Sequence, residues 1–312
     1  SDRTDMALLI ATPDRDASEL ARHIRDRNPE IDLRIWPDMD DVSEIIFVLA
    51  WKPPAGLFGQ LPNLAAISSL GAGVNTLIDD ESVPAGIEIG RLAGPRLAAD
   101  MAAYLVAVVV AHWKRLPGFI EDQKRQRWNP RAPEPPPAVG LLGTGQMAQR
   151  SAAAFAELGF PLHGYSRSGR GPEGVAMHSG QRGLAEIARV SDYLVNLLPL
   201  TNRTRGILDR SLFSQMKEGS TLINVGRGEH LVEEDLLDAL QTGRPACAVL
   251  DVFRTEPLPP GHPFWRHPRI LVTPHCASIT RTDEAAALAV ESYRRVMAGK
   301  PPLGCVDRVR GY

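Results

Sequence analysis

Three polar residues, far apart in the chain, carry side chains that could act together on a small acid. Arg227 lies in the segment INVGRG, Glu256 in LDVFRTEPLP and His275 in TPHCAS. A guanidinium binds a planar carboxylate through two parallel hydrogen bonds, a geometry that lysine cannot supply. An imidazole transfers protons near neutral pH, and a nearby carboxylate raises its pKa and fixes which ring nitrogen carries the proton. These residue types therefore suit the reduction of a 2-keto acid.

Two of the three residues follow predicted strands. Arg227 comes after Thr221–Val225, and His275 comes after Ile270–Thr273. Open α/β sheets bind their ligands at the carboxyl ends of parallel strands, so these positions favour a shared site. The spacing alone is also compatible with a surface arginine and a structural histidine.

A glycine-rich turn, AVGLLGTGQMA, lies between a predicted strand and a predicted helix. Gly143 permits the tight turn, Gly145 lets the backbone approach a pyrophosphate, and Ala148 takes the third small position, where helix meets strand. This context indicates a dinucleotide site, although a plain strand-to-helix turn has the same pattern. We expect cofactor contacts at Gly143, Thr144, Gly145, Gln146 and Met147.

The end of the next predicted strand, HGYSRSGR, differs from an NAD site. An acid is expected there for NAD, but the first one is Glu173. Hydroxyl and guanidinium groups suit a 2′-phosphate, which predicts that NADP(H) is preferred over NAD(H). The alternative is a solvated basic loop. The residues concerned are Ser166, Arg167, Ser168 and Arg170.

Bulk properties exclude several classes of protein. A chain of 312 residues predicts two domains. A net charge of −2 gives no field to attract nucleic acid or an anionic membrane. The segment SDRTDMALLI does not resemble a signal peptide. The cysteines, Cys247, Cys276 and Cys305, are no disulfide framework and indicate a reducing compartment, which we take to be the cytoplasm. The histidine and cysteine spacings match no zinc pattern, so we expect no metal.

Apolar runs alternate with polar segments along the whole chain, which predicts parallel α/β sheets. The proline-dense segment Arg131–Pro137 is predicted to be a loop or linker. A long helix is predicted from Leu97 to Leu116. Its apolar run, Met101–Trp113, falls short of a bilayer span and is interpreted as a buried or interface helix. Expected strands include Ala7–Ala11, Ile31–Trp36, Ile45–Trp51, Leu64–Leu70, Ile87–Leu92, Ala138–Leu142, Leu162–Arg167, Tyr193–Leu198 and Ala246–Val252.

Together these segments resemble the D-isomer-specific 2-hydroxyacid dehydrogenase family, and within it the bacterial glyoxylate/hydroxypyruvate reductase A branch. The similarity covers nearly the whole chain. Two positions depart from the family pattern: the third fingerprint glycine is Ala148, and Gly226 stands where alanine is common. The segments that carry the resemblance are LGAGVNTL, GLLGTGQMA, VNLLPLT, INVGRG, LDVFRTEPLPP, TPHCASITR and CVDRVRGY.

The resemblance implies a role for each matching residue. Arg227 would hold the substrate carboxylate and carbonyl, His275 would be the acid/base, and Glu256 its partner. Substrate contacts are expected at Trp51, Lys52 and the backbone of Gly71, Ala72 and Gly73. Asp251 would lie near the nicotinamide amide. Further cofactor contacts are expected at Leu198, Pro199, Thr204, Val225 and Ala277.

The same resemblance implies two Rossmann-like domains with doubly wound parallel sheets. Residues 94–285 would form the NAD(P)-binding domain, inserted into a substrate domain of residues 1–93 plus 286–312. The expected activity is NADPH-dependent reduction of glyoxylate or hydroxypyruvate to the D-2-hydroxy acid by a homodimer joined through the cofactor domains. An NAD-linked dehydrogenase of other specificity and a non-catalytic nucleotide-sensing regulator remain alternatives.

Overall fold

The structure, a computed structural model, describes residues 6–311 and divides into two compact units. Unit 1 comprises Ser1–Leu97 and Ile279–Tyr312, and unit 2 comprises Ala98–Ser278. The borders of the two domains expected from the sequence lie a few residues away from the borders of these units. The assignment of one domain to the cofactor and the other to the substrate stays a prediction. The first five residues of the segment judged not to be a signal peptide lie outside the described residues.

Unit 1 is a five-stranded parallel sheet in the order β2-β1-β3-β4-β5. Apolar residues alternate between its two faces, as a sheet buried on both sides requires. Leu8 and Ile10 of β1 pack towards α1 and α9, whereas Leu9 packs against the opposite core. The strands are β1 Ala7–Ala11, β2 Asp32–Ile35, β3 Ile45–Ala50, β4 Ala66–Ser69 and β5 Glu88–Arg91, and the helices are α1 Ser18–Arg27, α2 Asn75–Ile78 and α9 Thr282–Met297.

Unit 2 is a seven-stranded parallel sheet in the order β12-β11-β10-β9-β6-β7-β8. All strands are parallel, and the order in which they are added to the sheet reverses between β6 and β9. In a doubly wound sheet, this is the point at which the binding crevice opens. Its strands are β6 Val139–Leu142, β7 Leu162–Tyr165, β8 Ala176–His178, β9 Tyr193–Asn196, β10 Thr221–Asn224, β11 Cys247–Leu250 and β12 Ile270–Val272. Its helices are α4 Leu116–Lys124, α5 Gln146–Glu157, α6 Gly180–Val190, α7 Arg210–Gln215 and α8 Glu233–Thr242, together with most of α3 Pro95–Trp113.

Two apolar cores cover the faces of the unit 2 sheet. Leu105 and Val109 of α3 and Phe155 of α5 pack on one face, and Ile187 of α6 and Leu236 of α8 pack on the other. The predicted linker at Arg131–Pro137 is confirmed, since it contains no helix or strand.

The long helix predicted as Leu97–Leu116 is wrong at both ends. It begins at Pro95, ends at Trp113, and is followed by Arg115 in a left-handed conformation (φ 58°) before α4. Among residues 6–311, α3 is the one helix whose length and apolar composition would allow a membrane crossing. That is weak support for a span, because a helix packed in a soluble core passes the same test.

Candidate functional site

Gly143, directly after β6, makes the turn that the sequence predicts. Its φ is +105°, and its N–H donates to the Tyr165 carbonyl at 2.9 Å. A Cβ at this position would lie 2.9 Å from the carbonyl oxygen of Leu197, just past β9. Only glycine allows the β6 and β9 ends to approach this closely without strain.

Gly145 shows whether the turn fits a dinucleotide. It precedes α5, whose first turn has no side-chain cap, so free backbone N–H groups face outward there. A Cβ at Gly145 would meet no protein atom within 4 Å, so packing does not require glycine. An external pyrophosphate explains the bare backbone, and the turn therefore fits the expected cofactor. Ala148 is buried against the sheet, as the third small position demands.

A cavity of about 350 Å³ lies beside this turn, bordered by the loop after β7. The loop is held by its own polar groups: the Ser166 hydroxyl donates to the Arg170 carbonyl at 2.8 Å, and the Arg170 N–H donates to Ser168 Oγ at 3.3 Å. The lining contains one cation and no acid. It consists of Thr144, Gln149, Ser168, Arg170, Gly171 and Pro172.

Three of these lining residues, Thr144, Ser168 and Arg170, were predicted cofactor residues. Gln149, Gly171 and Pro172 were missed. Gln149 lies one helical turn into α5, and its side-chain amide donates to the Thr144 carbonyl at 3.1 Å. Its spacing of four residues from Gly145 was the signal that could have identified it.

The loop after β9 carries three more predicted cofactor residues. Leu198 N–H donates to Asn196 Oδ1 at 3.2 Å, and the Pro199 carbonyl accepts from the Thr204 hydroxyl at 2.6 Å. Thr204 therefore shapes the loop itself. Val225 is buried just past β10.

Arg227 stands at a turn that packs against the segment carrying Glu256. A Cβ at Gly228 would lie 1.9 Å from the backbone carbon of Phe253, so the two backbones are in contact. The guanidinium donates through Nη1 to the Gly226 carbonyl at 2.7 Å. Burial lowers the pKa of Arg227, and the charges of Glu256 and Glu229 oppose that shift. Arg227 is therefore half-buried within the electrostatic reach of Glu256.

Glu256 and His275 are in contact, a pairing that the family resemblance implied and the sequence alone could not show. Glu256 Oε2 lies 2.7 Å from His275 Nδ1, and Glu256 Oε1 accepts the Phe253 N–H at 3.0 Å. An ionised carboxylate can only accept, so Nδ1 carries a proton and Nε2 is the ring nitrogen left for chemistry. Both side chains remain partly exposed, at 34% for His275 and 25% for Glu256.

His275 has a left-handed backbone (φ 51°), which is rare for a residue with a side chain. Asp251, at the end of β11, holds this conformation. Its Oδ1 accepts from the Thr273 hydroxyl at 2.5 Å and from Cys276 N–H at 3.0 Å, while Oδ2 accepts from Ala277 N–H at 3.0 Å. Asp251 and Ala277, both predicted cofactor residues, thus help to build the turn that presents His275.

The substrate residues predicted on unit 1 lie in the segments after β3 and β4. Trp51 lies against Gly71, where a Cβ would come within 3.2 Å of its ring. Among the described residues, the Trp51 indole N–H is one of few buried polar groups without a hydrogen-bond partner. Lys52 (φ 45°) pairs with Asp14 at 3.7 Å.

Gly73 contributes its carbonyl, which accepts from the Ser69 hydroxyl at 2.7 Å, and Ala72 lies between the two glycines of this turn. Sequence reasoning missed Arg15, whose guanidinium stacks on the Trp51 ring at 4.1 Å. Nothing in the local sequence around Arg15 signals that contact, because the two residues lie on different strand ends.

Within residues 6–311, no group of three or more His, Cys, Asp and Glu side chains is placed to hold a metal ion. Cys247, Cys276 and Cys305 are free thiols.

Comparison with known proteins identifies the family of this chain. The model of the D-isomer specific 2-hydroxyacid dehydrogenase NAD-binding domain matches residues 106–277. The chain belongs to the D-isomer-specific 2-hydroxyacid dehydrogenase family. A curated relative, glyoxylate/hydroxypyruvate reductase A of Yersinia enterocolitica, is 36% identical, with 98% of this chain and 100% of the relative covered.

Two solved structures of the family are similar over almost the full length. One is a D-isomer specific 2-hydroxyacid dehydrogenase from Xanthobacter autotrophicus in complex with NADPH and MES, with a TM-score of 0.93, 36% identity, and coverage of 98% of this chain and 99% of that one. The other is an NADPH-dependent glyoxylate/hydroxypyruvate reductase from Sinorhizobium meliloti in complex with NADP and sulfate, with a TM-score of 0.90, 29% identity, and coverage of 98% and 100%.

The predicted fold class and family are therefore confirmed. The protein is an NAD(P)-dependent 2-hydroxyacid dehydrogenase with two Rossmann-like units, and its general reaction interconverts 2-keto and 2-hydroxy acids.

Proposed function

We propose that this dehydrogenase uses NADPH to reduce a small 2-keto acid, either glyoxylate to its achiral 2-hydroxy acid or hydroxypyruvate to the D-2-hydroxy acid. The observation that carries the proposal is the 2.7 Å contact between Glu256 and His275. The turn that bears Arg227 packs against the segment that carries Glu256. Relatives named glyoxylate/hydroxypyruvate reductase support the choice of substrate.

The roles proposed for the three residues rest on their chemistry and on the family resemblance, and the contact between Glu256 and His275 supports them. Arg227 binds the substrate carboxylate through two hydrogen bonds and stabilises negative charge that develops on the carbonyl oxygen, a contribution of about 2.7–4 kcal/mol for one positioned donor. His275, doubly protonated, gives its Nε2 proton to that oxygen and keeps its Nδ1 proton, which it donates in a hydrogen bond to the Glu256 carboxylate. General acid transfer of this kind contributes roughly 10²–10⁴-fold. The nicotinamide, when bound, supplies the hydride to the carbonyl carbon.

The preference for NADP(H) rests on the loop after β7. Ser168 and Arg170 border the cavity beside the glycine-rich turn at Gly143–Gly145, which we call the phosphate turn. No acidic residue lines this cavity. A 2′-phosphate there gains charge-assisted hydrogen bonds, which exposure of the loop weakens by solvent screening. We assign Ser166 and Arg167 of the same loop to the 2′-phosphate as well. Family structures from Xanthobacter and Sinorhizobium hold NADPH or NADP, which supports this preference.

On unit 1, we assign substrate contacts to Trp51, Lys52 and the Gly71–Gly73 turn. The unpaired indole N–H of Trp51 supports this assignment, because a buried donor without a partner costs free energy unless a ligand accepts from it.

A homodimer joined through unit 2 accounts for its exposed apolar side chains. Leu116, Phe119 and Ile120 of α4 and Trp128 after it are 38–96% exposed. Such a cluster is unusual on a monomer and typical of a protein interface. This assignment also gives the partly exposed helix α3 a partner other than a membrane.

The free thiols suit a reducing cytoplasm.

The test is a panel of 2-keto acids assayed with NADPH and with NADH. We expect the highest kcat/KM with NADPH and glyoxylate or hydroxypyruvate. A preference for NADH or for a larger keto acid would contradict the proposal and indicate a dehydrogenase of the same fold with a different cofactor or substrate. Absence of turnover with every pair would overturn the proposed substrates.

A further inference from the structure

We propose that His230 is a positioning residue, which fixes the direction of the Arg227 side chain by accepting the Arg227 backbone N–H. This inference rests on the proposed function, in which Arg227 binds the keto acid. His230 is fully buried two residues beyond Gly228 and faces away from solvent, so it cannot touch substrate itself.

The contacts of His230 determine its tautomer. Nδ1 lies 3.1 Å from the Arg227 backbone nitrogen and 2.9 Å from Asn196 Nδ2, and Nε2 lies 3.3 Å from the Pro199 carbonyl. A backbone N–H can only donate, so Nδ1 is the acceptor and Nε2 carries the proton, which it donates to Pro199. Burial lowers the pKa of His230 to about 4, and the charges of Arg227 and Arg205 act in the same direction. The ring therefore stays neutral and keeps its acceptor at neutral pH.

The carbonyl of Arg227 is held as firmly as its N–H. Asn224 Nδ2 donates to it at 3.1 Å, and Asn224 Oδ1 accepts from Gly226 N–H at 3.2 Å and from Asn196 Nδ2 at 2.9 Å. Asn196, Asn224 and His230 thus form one buried network around the Arg227 backbone.

Gly226 is the residue that admits this network. A Cβ there would lie 2.8 Å from Asn196 Nδ2 and 3.0 Å from His230 Nδ1. The same residue accepts a hydrogen bond from the Arg227 guanidinium, so the turn directs the side chain as well as the backbone. A bidentate clamp works only when its direction is fixed to within a fraction of an ångström.

Two substitutions separate the two ring nitrogens. His230→Asn places an amide oxygen near the position of Nδ1 and retains the acceptor for Arg227. His230→Gln reaches the position of Nε2, retains the contact with Pro199 and loses that acceptor. We expect His230→Gln to raise the KM for glyoxylate about 10-fold or more, with the Kd for NADPH within about twofold of the wild type. His230→Asn should stay within about threefold in both.

A merely structural role would give equal losses in both variants or weaken NADPH binding equally, and either result would overturn the proposal. Arg227→Lys is the control for the proposed function. If Arg227→Lys is normal, the assignment of Arg227 fails. If Arg227→Lys is impaired while His230→Gln is normal, only the role of His230 fails.

A spectroscopic test needs neither substrate nor a stable variant. In ¹⁵N–¹H spectra of the histidine rings of the wild-type enzyme, His230 should show the Nε2–H tautomer and should not titrate between pH 8 and pH 5. An Nδ1–H ring, or a ring that protonates in that range, would overturn the proposal even if both variants failed to fold.

Discussion

Replacing Glu256 by glutamine tests the acid/base pair with little change in shape. The amide oxygen can still accept the Phe253 N–H, now 3.0 Å from Glu256 Oε1. The amide NH₂ then faces His275 Nδ1, where the carboxylate oxygen lies at 2.7 Å. Two donors cannot bond each other, so the doubly protonated ring loses its acceptor. We expect the imidazole to be held less firmly in the orientation that donates its Nε2 proton to the substrate.

The size of the effect follows from the contact. A charge-assisted hydrogen bond contributes about 1.5–3 kcal/mol. Both side chains are partly exposed, at 34% and 25%, so solvent screening favours the lower part of this range. About 1.5–2 kcal/mol corresponds to a kcat roughly 10–30-fold lower. NADPH binding should change little, because the phosphate turn lies on other strands.

Single-turnover reduction of glyoxylate at saturating NADPH is the suitable assay, since product release does not mask the chemical step. Glu233→Gln provides a matched control. Glu233 pairs with His262 at 3.3 Å in the same unit, and those side chains are 23% and 20% exposed. The control should retain wild-type kcat. If Glu256→Gln also did so, Glu256 would not orient the proton donor.

Further predictions concern substrate binding, cofactor choice, assembly and pH. Arg227→Lys should raise the KM for keto acids about 10-fold or more and lower kcat, because lysine lacks the two-pronged geometry; steady-state kinetics measure this. Arg170→Asp should reduce the NADPH-to-NADH ratio of kcat/KM at least about 10-fold, whereas Arg189→Asp, at the far end of α6, should not. Phe119→Asp should convert a dimer into a 34.0 kDa monomer in light scattering. His230 has a folded pKa of about 4, below its usual 6.5, so the unfolded chain binds more protons between those values and stability falls as pH drops through them. Between pH 7 and pH 4.5, the free energy of unfolding measured by urea denaturation should fall by up to about 3 kcal/mol more in the wild type than in His230→Asn.

The positions of Glu256 and His275 at neighbouring strand ends could be predicted from sequence because strand ends of a parallel sheet meet at one edge, but their contact could not. What sequence could not supply was how each turn is held. Asp251 was assigned to the cofactor, yet both of its oxygens serve the turn around His275. Buried polar partners of this kind depend on register and turn geometry, which leave no periodic signal.

The predicted strands of both units are present, with ends that differ by one or two residues. Apolar alternation and buried runs determined them. The strand Ala176–His178 was missed, since three residues at a sheet edge are too few to show a periodic pattern. The helix Arg210–Gln215 was also missed, since its six residues are less than two helical turns. The end of α3 depended on Arg115 adopting a left-handed conformation, which no residue type there requires.

Gly226 shows why a departure from a family pattern calls for a geometric reading. By sequence, glycine in place of alanine is only a departure from the family pattern, with no predicted effect on Arg227. In the structure, the bare Cα lets Asn196 and His230 close on the turn at distances that a Cβ would disturb. Two buried side chains, Asn224 and His230, then hold the two backbone polar groups of Arg227, and Asn196 holds both of those side chains. The conformational freedom that glycine adds to the unfolded chain is therefore offset in the folded state by hydrogen bonds that direct the guanidinium.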